Sequence, residues 1–284
     1  MNWVLALTAS ILLLQQAPRV EKHGAHRTIT NAPQGATTTR NVLIVGNSLS
    51  YFNEMPWMLE QIALSKKALP RLHVEFSGGS GMTLEQHWRT GKAVKRINED
   101  RWDLVVLQAQ STEALRTPAN FKTYARRFDA LIRSRGARTV ILGTWAPRDS
   151  RFSQRAFDEE YEKTARVLGA TLAPVGSAWE QLETRGIKLF EDDTHPNVAG
   201  SYLVATVLYA VTYGASPAGA THSFDVHFEI PEFYRRSLEH DRIDEVTAAA
   251  IQASAWTAVR RATQIRSTQR SFTQPPCAFT CRPN

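Results

Sequence analysis

Residues 41–49 read Asn-Val-Leu-Ile-Val-Gly-Asn-Ser-Leu, and this stretch decides the fold of the chain. Four consecutive apolar residues, Val42–Val45, end at Gly46 and are followed by polar residues. A short apolar run without alternation is typical of a strand that is buried on both faces of a sheet. The stretch therefore predicts a parallel strand followed by a tight turn.

The same pattern recurs along the chain, where short apolar runs are separated by longer amphipathic segments. Strands are predicted at Val42–Val45, Leu72–Phe76, Leu104–Leu107, Val140–Leu142 and Thr171–Val175, and helices near residues 55–67, 83–97, 120–135 and 157–168. Strands that alternate with helices form a doubly wound α/β fold, here with a parallel sheet of about five strands. Ligands of such sheets bind beyond the carboxyl ends of the strands, so chemistry is expected in the residues after each strand.

The N-terminal flank predicts export. Residues 3–14 are apolar, have the length of a secretory core and are too short to span a bilayer. Residues 1–40 are therefore predicted to be a signal peptide or anchor followed by a linker. We expect a secreted or periplasmic protein, with membrane anchoring by residues 3–14 as the alternative. Cys277 and Cys281 are the only cysteines, and in an exported protein they suit a local disulfide.

The main domain is predicted to span residues 41–215. Its last helix, Val198–Tyr213, is apolar nearly all round and should be buried. Residues 216–265 are predicted to be a helical extension, with an amphipathic helix at 242–261 that packs on the domain. Residues 266–284 are predicted to be a tail.

The net charge of +7 does not indicate nucleic-acid binding, because the charge lies at the ends of the chain. Residues 1–40 carry four basic side chains against one acidic side chain, and residues 246–284 carry five arginines and no acid. The central part is close to neutral. A surface that follows a phosphate backbone is basic, so nucleic acid is not expected as a partner.

Two segments that follow strands carry the side chains of a nucleophilic mechanism. Ser48 stands at the predicted turn after the first strand, where a serine is exposed at the sheet edge and its backbone N–H can bind an oxyanion. Asp192 and His195 lie three residues apart on a later loop. Histidine can accept the serine proton, and a carboxylate fixes the histidine tautomer. Read singly, the serine could equally be a helix cap, and the aspartate could cap a helix beside a surface histidine.

A third segment, Ser77–Thr83, contains Gly78, Gly79 and Gly81 after the second strand. Glycines let the backbone approach a ligand and direct N–H groups at it. This arrangement suits an oxyanion and equally suits a phosphate.

Together the three segments resemble those of SGNH/GDSL hydrolases. Residues 46–49 (Gly-Asn-Ser-Leu) resemble the Gly-Asp-Ser-Leu block, residues 80–83 the oxyanion-glycine block, and Asp192-x-x-His195 the closing block. The resemblance covers about residues 41–213. It implies a flavodoxin-like three-layer α/β/α sandwich, ester hydrolysis through an acyl-enzyme, and no metal or organic cofactor.

One block departs from the family pattern. Where the family has Gly-x-Asn-Asp after the third strand, this chain has Gln108-Ala-Gln110-Ser-Thr. The family asparagine donates a side-chain N–H to the oxyanion. Gln110 carries the same amide on a longer arm, and Gln108, on the same strand face, is the second candidate. The alternative is that both are merely polar residues at the sheet edge.

The resemblance assigns Ser48, Asp192 and His195 as catalytic residues, with Ser48, Gly81 and Gln110 as the oxyanion hole. Asn47 and Trp145 are expected to contact substrate, and Arg148 could meet an anionic or sugar-bearing group. The expected partner is a small-molecule or carbohydrate ester, and no stable protein partner is expected. An acyltransferase with the same triad, a non-catalytic ligand-binding module and an envelope structural protein are the alternatives.

Overall fold

The computed structural model describes residues 39–68, 70–224 and 243–273, with side chains described as far as residue 264. Five parallel strands form one sheet in the order β2-β1-β3-β4-β5. They are β1 (Thr39–Gly46), β2 (Arg71–Gly78), β3 (Leu104–Gln108), β4 (Arg138–Gly143) and β5 (Thr171–Pro174). The five predicted strands are confirmed, and the last ends one residue early because Val175 begins a helix.

Ten helices and one 3-10 turn connect or follow these strands within the described residues. They are α1 (Ser48–Tyr51), the 3-10 turn (Phe52–Glu54), α2 (Met55–Ser65), α3 (Leu84–Thr90), α4 (Lys92–Glu99), α5 (Glu113–Arg116), α6 (Pro118–Ser134), α7 (Gln154–Leu168), α8 (Val175–Glu183), α9 (Val198–Tyr213) and α10 (Glu245–Thr273).

Strand side chains alternate between two helical layers, as the period of two in a strand requires. On β1, Val42 and Ile44 pack into a core with α2, α8, α9 and α10. Leu43 and Val45 pack into a second core with α3, α4, α6 and α7. The strands are buried on both faces because each face has its own layer of helices. The three-layer α/β/α sandwich is thereby confirmed.

Two helical predictions needed correction. The helix predicted over 83–97 is two helices, α3 and α4, because Gly91 at their junction has φ 74° and ends the first. The sequence does not predict helix α8, because its first residue, Val175, continues the apolar run of the last strand. The buried helix Val198–Tyr213 is α9, with the predicted bounds.

Helix α10 packs on α8 and α9, where the C-terminal extension was expected. It runs over Glu245–Thr273 and not over the predicted 242–261, so it continues into the segment 266–284 that was expected to be a tail. Its buried Gln252 donates to Tyr202 Oη (2.8 Å) and accepts from the Gly219 N–H (2.8 Å). Among the helices described, none combines the length and apolar character that crossing a membrane requires. The N-terminal export segment and the pair Cys277 and Cys281 lie outside the described residues.

Candidate active site

The serine turn lies at the carboxyl end of β1, a central strand of the sheet. Asn47 has an extended backbone and caps α1, so that Ser48 is the first helical residue. The Asn47 side chain accepts from the Leu49 N–H (3.2 Å) and donates to the Met82 carbonyl (3.0 Å). Asn47 is 2% exposed and Ser48 is 5% exposed. Asn47, expected to contact substrate, therefore ties the serine turn to the glycine segment in this structure.

The side chain of Gln108, at the end of β3, is hydrogen-bonded to the same turn. Its Oε1 accepts from the Asn47 N–H (2.8 Å) and from Ser50 Oγ (3.0 Å). The side chain is fully buried, and it leaves room for no more than a glycine at position 46, where a Cβ would lie 2.6 Å from Gln108 Oε1. The side-chain oxygen of Gln108 is therefore engaged by the serine turn.

The histidine loop brings its side chains to Ser48 in one hydrogen-bonded chain. His195 Nε2 lies 3.0 Å from Ser48 Oγ, and His195 Nδ1 lies 2.7 Å from Asp192 Oδ2. The other carboxylate oxygen, Oδ1, accepts from the backbone N–H groups of Thr194 (2.7 Å) and His195 (2.6 Å). Both distances in the chain are those of direct hydrogen bonds. The three residues predicted from two distant segments are thus brought together.

The Asp192 carboxylate remains ionised well below neutral pH. Partial burial alone would raise its pKa, but hydrogen bonds from the His195 and Thr194 backbone N–H groups and from the His195 ring lower the pKa to about 2. An ionised carboxylate at this position accepts the Nδ1–H of His195. Nε2 is then left unprotonated and can accept the proton of Ser48.

The loop that carries His195, residues 190–196, is closed on itself and fastened to the domain. A bridge joins Phe190 to Pro196, and the Glu191 N–H donates to the His195 carbonyl (2.9 Å). The Arg148 N–H donates to the Asp193 carbonyl (2.8 Å). We call residues 190–196 the base loop.

Trp145 supports the base loop from beneath. Its ring is 1% exposed and stacks on Trp179, with centroids 4.0 Å apart. Its Nε1–H donates to the Thr194 carbonyl (3.0 Å). A ring with so little exposed surface has almost none to offer a substrate, so the substrate contact expected of Trp145 is replaced by a supporting contact.

The glycine segment forms a tight turn beside the serine. The Met82 N–H donates to the Gly79 carbonyl (3.3 Å), and Gly81 between them has φ 64°, a conformation that favours glycine. The hydrogen bond from Asn47 to the Met82 carbonyl fastens this turn to the serine turn. Gly81, predicted to bind the oxyanion, is thereby adjacent to the hydrogen bond that joins the two turns.

No protein-family model and no curated protein matches the sequence. Solved structures do match. A protein assigned to the SGNH hydrolases, from Slackia heliotrinireducens, is 26% identical, with a TM-score of 0.51 over 62% of this chain and 100% of its own. A DUF4886 family protein from Bacteroides uniformis is 16% identical, with a TM-score of 0.60 over 78% of this chain and 95% of its own. TesA is 20% identical, with a TM-score of 0.51 over 62% of this chain and 99% of its own.

The chain has an SGNH/GDSL-type fold. The likeness to the Slackia heliotrinireducens protein supports hydrolase activity. It does not assign the residues of the site. The geometry described above is what brings Ser48, His195 and Asp192 together within that fold.

Gln110, the predicted side-chain donor of the oxyanion hole, is turned toward its own segment. Its Nε2 donates to Ser111 Oγ (2.8 Å), and its Oε1 accepts from the Thr112 N–H (3.0 Å). A primary amide has two N–H donors, so the bond to Ser111 accounts for one of them. The role predicted for Gln110 remains a prediction.

Sequence reasoning missed Glu113, which joins the two segments that flank the serine. Its Oε2 accepts from the Gln110 N–H (3.0 Å) and from the Leu84 N–H at the start of α3 (3.2 Å). Burial raises the pKa of this carboxyl, and the two backbone hydrogen bonds offset that rise only in part. The sequence signal available was an acidic residue at the start of a short helix, which is too common to indicate a site.

Proposed function

We propose that this protein hydrolyses carboxylic esters with short acyl groups, including O-acetyl groups on carbohydrates, through an acyl-enzyme formed on Ser48. The observation that carries the proposal is the continuous hydrogen-bonded chain from Ser48 Oγ through His195 to Asp192. A serine hydroxyl is a weak nucleophile, and an adjacent base held in one tautomer is what activates it.

In the acylation step, Ser48 Oγ attacks the carbonyl carbon of the ester while His195 Nε2 accepts the hydroxyl proton. The tetrahedral intermediate then expels the alcohol, which takes the proton from His195. In the second step a water molecule attacks the acyl group, His195 accepts the water proton, and Ser48 regains it as the carboxylic acid leaves. Asp192 orients the imidazole and stabilises the imidazolium throughout.

The oxyanion in this scheme is bound by the backbone N–H groups of Ser48 and Gly81 and by the Gln110 side-chain amide. The Ser48 N–H lies in the first turn of α1, where N–H groups have no partner within the helix. The glycine turn is fastened to the serine turn, which favours a fixed distance between these donors. If Gln110 donates, Gln110→Ala lowers kcat about 10²- to 10³-fold.

The decisive experiment compares the wild type with Ser48→Ala on p-nitrophenyl acetate and on an acetylated sugar, and labels both with a fluorophosphonate. We expect Ser48→Ala to be folded, inactive and unlabelled. Ser177→Ala, which changes a first-turn serine of α8, is the matched control and should react as the wild type does. Undiminished activity of Ser48→Ala would refute the proposal, and an unlabelled wild type would favour a non-catalytic binding module.

We also propose that the protein is exported and that the N-terminal segment within residues 1–40 directs the export. The support is the apolar run at residues 3–14, which has the length of a secretory core. N-terminal sequencing of the protein recovered from its native cells tests this proposal. Recovery of the intact chain from the cytoplasmic fraction would contradict it.

A further inference from the structure

The segment that follows Ser48 contains two adjacent residues with left-handed backbone. Asn53 has φ 54° and ψ 31°, and Glu54 has φ 52° and ψ 39°. Asparagine tolerates this conformation, whereas a glutamate there is strained. Strained residues persist only where surrounding contacts hold them, and they cluster at functional sites. Residues 52–54 are held by contacts with the base loop and with α9.

Asn53 is held by the residue that follows His195. Its Nδ2 group donates one hydrogen bond to the Pro196 carbonyl (3.0 Å) and one to Ser201 Oγ on α9 (2.9 Å). Ser201 Oγ in turn donates to the Phe52 carbonyl (3.2 Å). Asn53 is 5% exposed, so these hydrogen bonds are formed away from water.

Phe52 contacts the imidazole itself. The two rings are stacked, with centroids 4.5 Å apart and planes 11° from parallel. The two nitrogens of His195 face Ser48 and Asp192, so both edges of the ring that carry nitrogen are engaged. The Phe52 ring covers one face of the imidazole and restricts rotation of the imidazole out of the plane that those two hydrogen bonds require.

We propose that Phe52 and Asn53 are positioning residues that fix the His195 ring and its loop relative to Ser48. This inference rests on the proposed function. Ser48, Phe52 and Asn53 lie within six consecutive residues, so one short segment carries the nucleophile and also holds its base. The distance from Ser48 Oγ to His195 Nε2 is thereby set locally, although the two residues are 147 positions apart in sequence.

A group that acts by positioning the base should affect the chemical step more than substrate binding. Phe52→Leu removes the flat ring, and we expect kcat on p-nitrophenyl acetate to fall about 3- to 30-fold with KM changed less than about twofold. Phe52→Tyr retains the ring and should restore at least about half of the wild-type kcat.

Asn53→Asp keeps a residue that tolerates the left-handed backbone but places a carboxylate oxygen against the Pro196 carbonyl. We expect kcat to fall about tenfold or more, because small displacements of a catalytic group are costly. The matched control is Glu54→Gly, which relieves the neighbouring left-handed residue and leaves the Asn53 and Phe52 contacts in place. Its kcat should stay within about twofold of the wild type.

The outcomes separate this inference from the proposed function. If Ser48→Ala is inactive while Phe52→Leu and Asn53→Asp keep wild-type kcat, the positioning role is refuted and the esterase proposal stands. Losses that appear only in KM, or an equal loss in Glu54→Gly, also refute the positioning role. If Asn53→Asp does not fold, the comparison of Phe52→Leu with Phe52→Tyr decides, since both variants retain a large side chain at position 52. If Ser48→Ala is fully active, both proposals fail.

Discussion

The serine turn and the base loop are held in place by different kinds of contact. Ser48 is 5% exposed, and its turn rests on the fully buried amide of Gln108. The Asp192 side chain is 56% exposed and the His195 side chain 29%, and their loop is held by backbone hydrogen bonds and ring contacts. Buried polar groups are costly to leave without partners, whereas exposed ones can turn to water. Loss of the buried contacts beneath the turn should therefore mainly lower the free energy of unfolding, whereas loss of the exposed carboxylate of the loop should mainly lower activity.

The largest effect on activity is expected from a change in the exposed base loop. Asp192→Asn places an amide N–H against His195 Nδ1, which forces the proton to Nε2 and removes the base from Ser48. We expect kcat to fall about 10⁴-fold, with the free energy of unfolding changed by less than about 1 kcal/mol. Esterase kinetics and urea denaturation measure the two quantities.

Asp193→Asn is the matched control for this prediction, because it changes the neighbouring exposed carboxylate and leaves the triad intact. We expect wild-type kinetics for it. A loss of kcat below about tenfold in Asp192→Asn would mean that the carboxylate does not set the tautomer of His195.

The largest stability effect is expected on the buried side. Gln108→Leu leaves the Asn47 N–H and the Ser50 hydroxyl without their acceptor. We expect the free energy of unfolding to fall by about 2–6 kcal/mol, at about 1–3 kcal/mol for each of the two unpaired buried groups. Urea denaturation gives the value, and Gln110→Leu, at a partly exposed position two residues away, should cost less. A cost below about 1 kcal/mol for Gln108→Leu would show that the turn does not depend on this amide.

A glycine on α9 packs against the base loop and the residue that precedes it. A Cβ at Gly200 would lie 2.3 Å from the Leu189 carbonyl oxygen and 2.7 Å from the Trp179 ring, so Gly200→Ala must push α9 away from the base loop. We expect a loss of about 1–3 kcal/mol in the free energy of unfolding, together with a lowered kcat. Thermal unfolding and esterase kinetics on the same sample test both. Wild-type values for both would show that this contact relaxes without moving the loop.

The smallest effect is the loss of stability that we expect at low pH. The pKa of Asp192 is about 2 in the folded protein and 3.8 for an unperturbed aspartate, so its ionised form stabilises the fold above about pH 4. That contribution is lost as pH falls through about 2. Because the side chain is half exposed and screened, the loss should be below about 1 kcal/mol. The Tm difference between wild type and Asp192→Asn should shrink between pH 4 and pH 2, and a constant difference would contradict the assigned cause.

The sheet could be predicted from sequence because its strands are continuous apolar runs between helices. That pattern is local, and β3 and β4 show it most clearly. The division between α3 and α4 was harder to predict, because it depends on a single glycine. Gly91 divides the predicted helix over residues 83–97, and an isolated glycine within a helical pattern is compatible with either outcome.

The convergence of Ser48, Asp192 and His195 could also be predicted, from the resemblance of their segments to those of one family. The strand rule alone explains only Ser48, because the loop of Asp192 and His195 follows helix α8 and not a strand. The orientation of individual side chains could not be predicted. Trp145 follows β4, as a substrate contact would, but it stacks on Trp179 from α8, a helix that the sequence did not reveal. The stacking of Phe52 on His195 depends on the left-handed residues at 53 and 54, for which the sequence carries no specific signal.

In the mechanism we propose, the nucleophile is synthesised early and its base late. Ser48 and His195 are separated by 147 residues, and the base loop is fastened between α8 and α9. At about 5–20 residues per second, a ribosome needs about 7 to 30 seconds to pass from one to the other. A nascent chain therefore carries Ser48 as an ordinary alcohol for that interval. A serine-reactive label would mark completed molecules and leave unfinished ones unmodified.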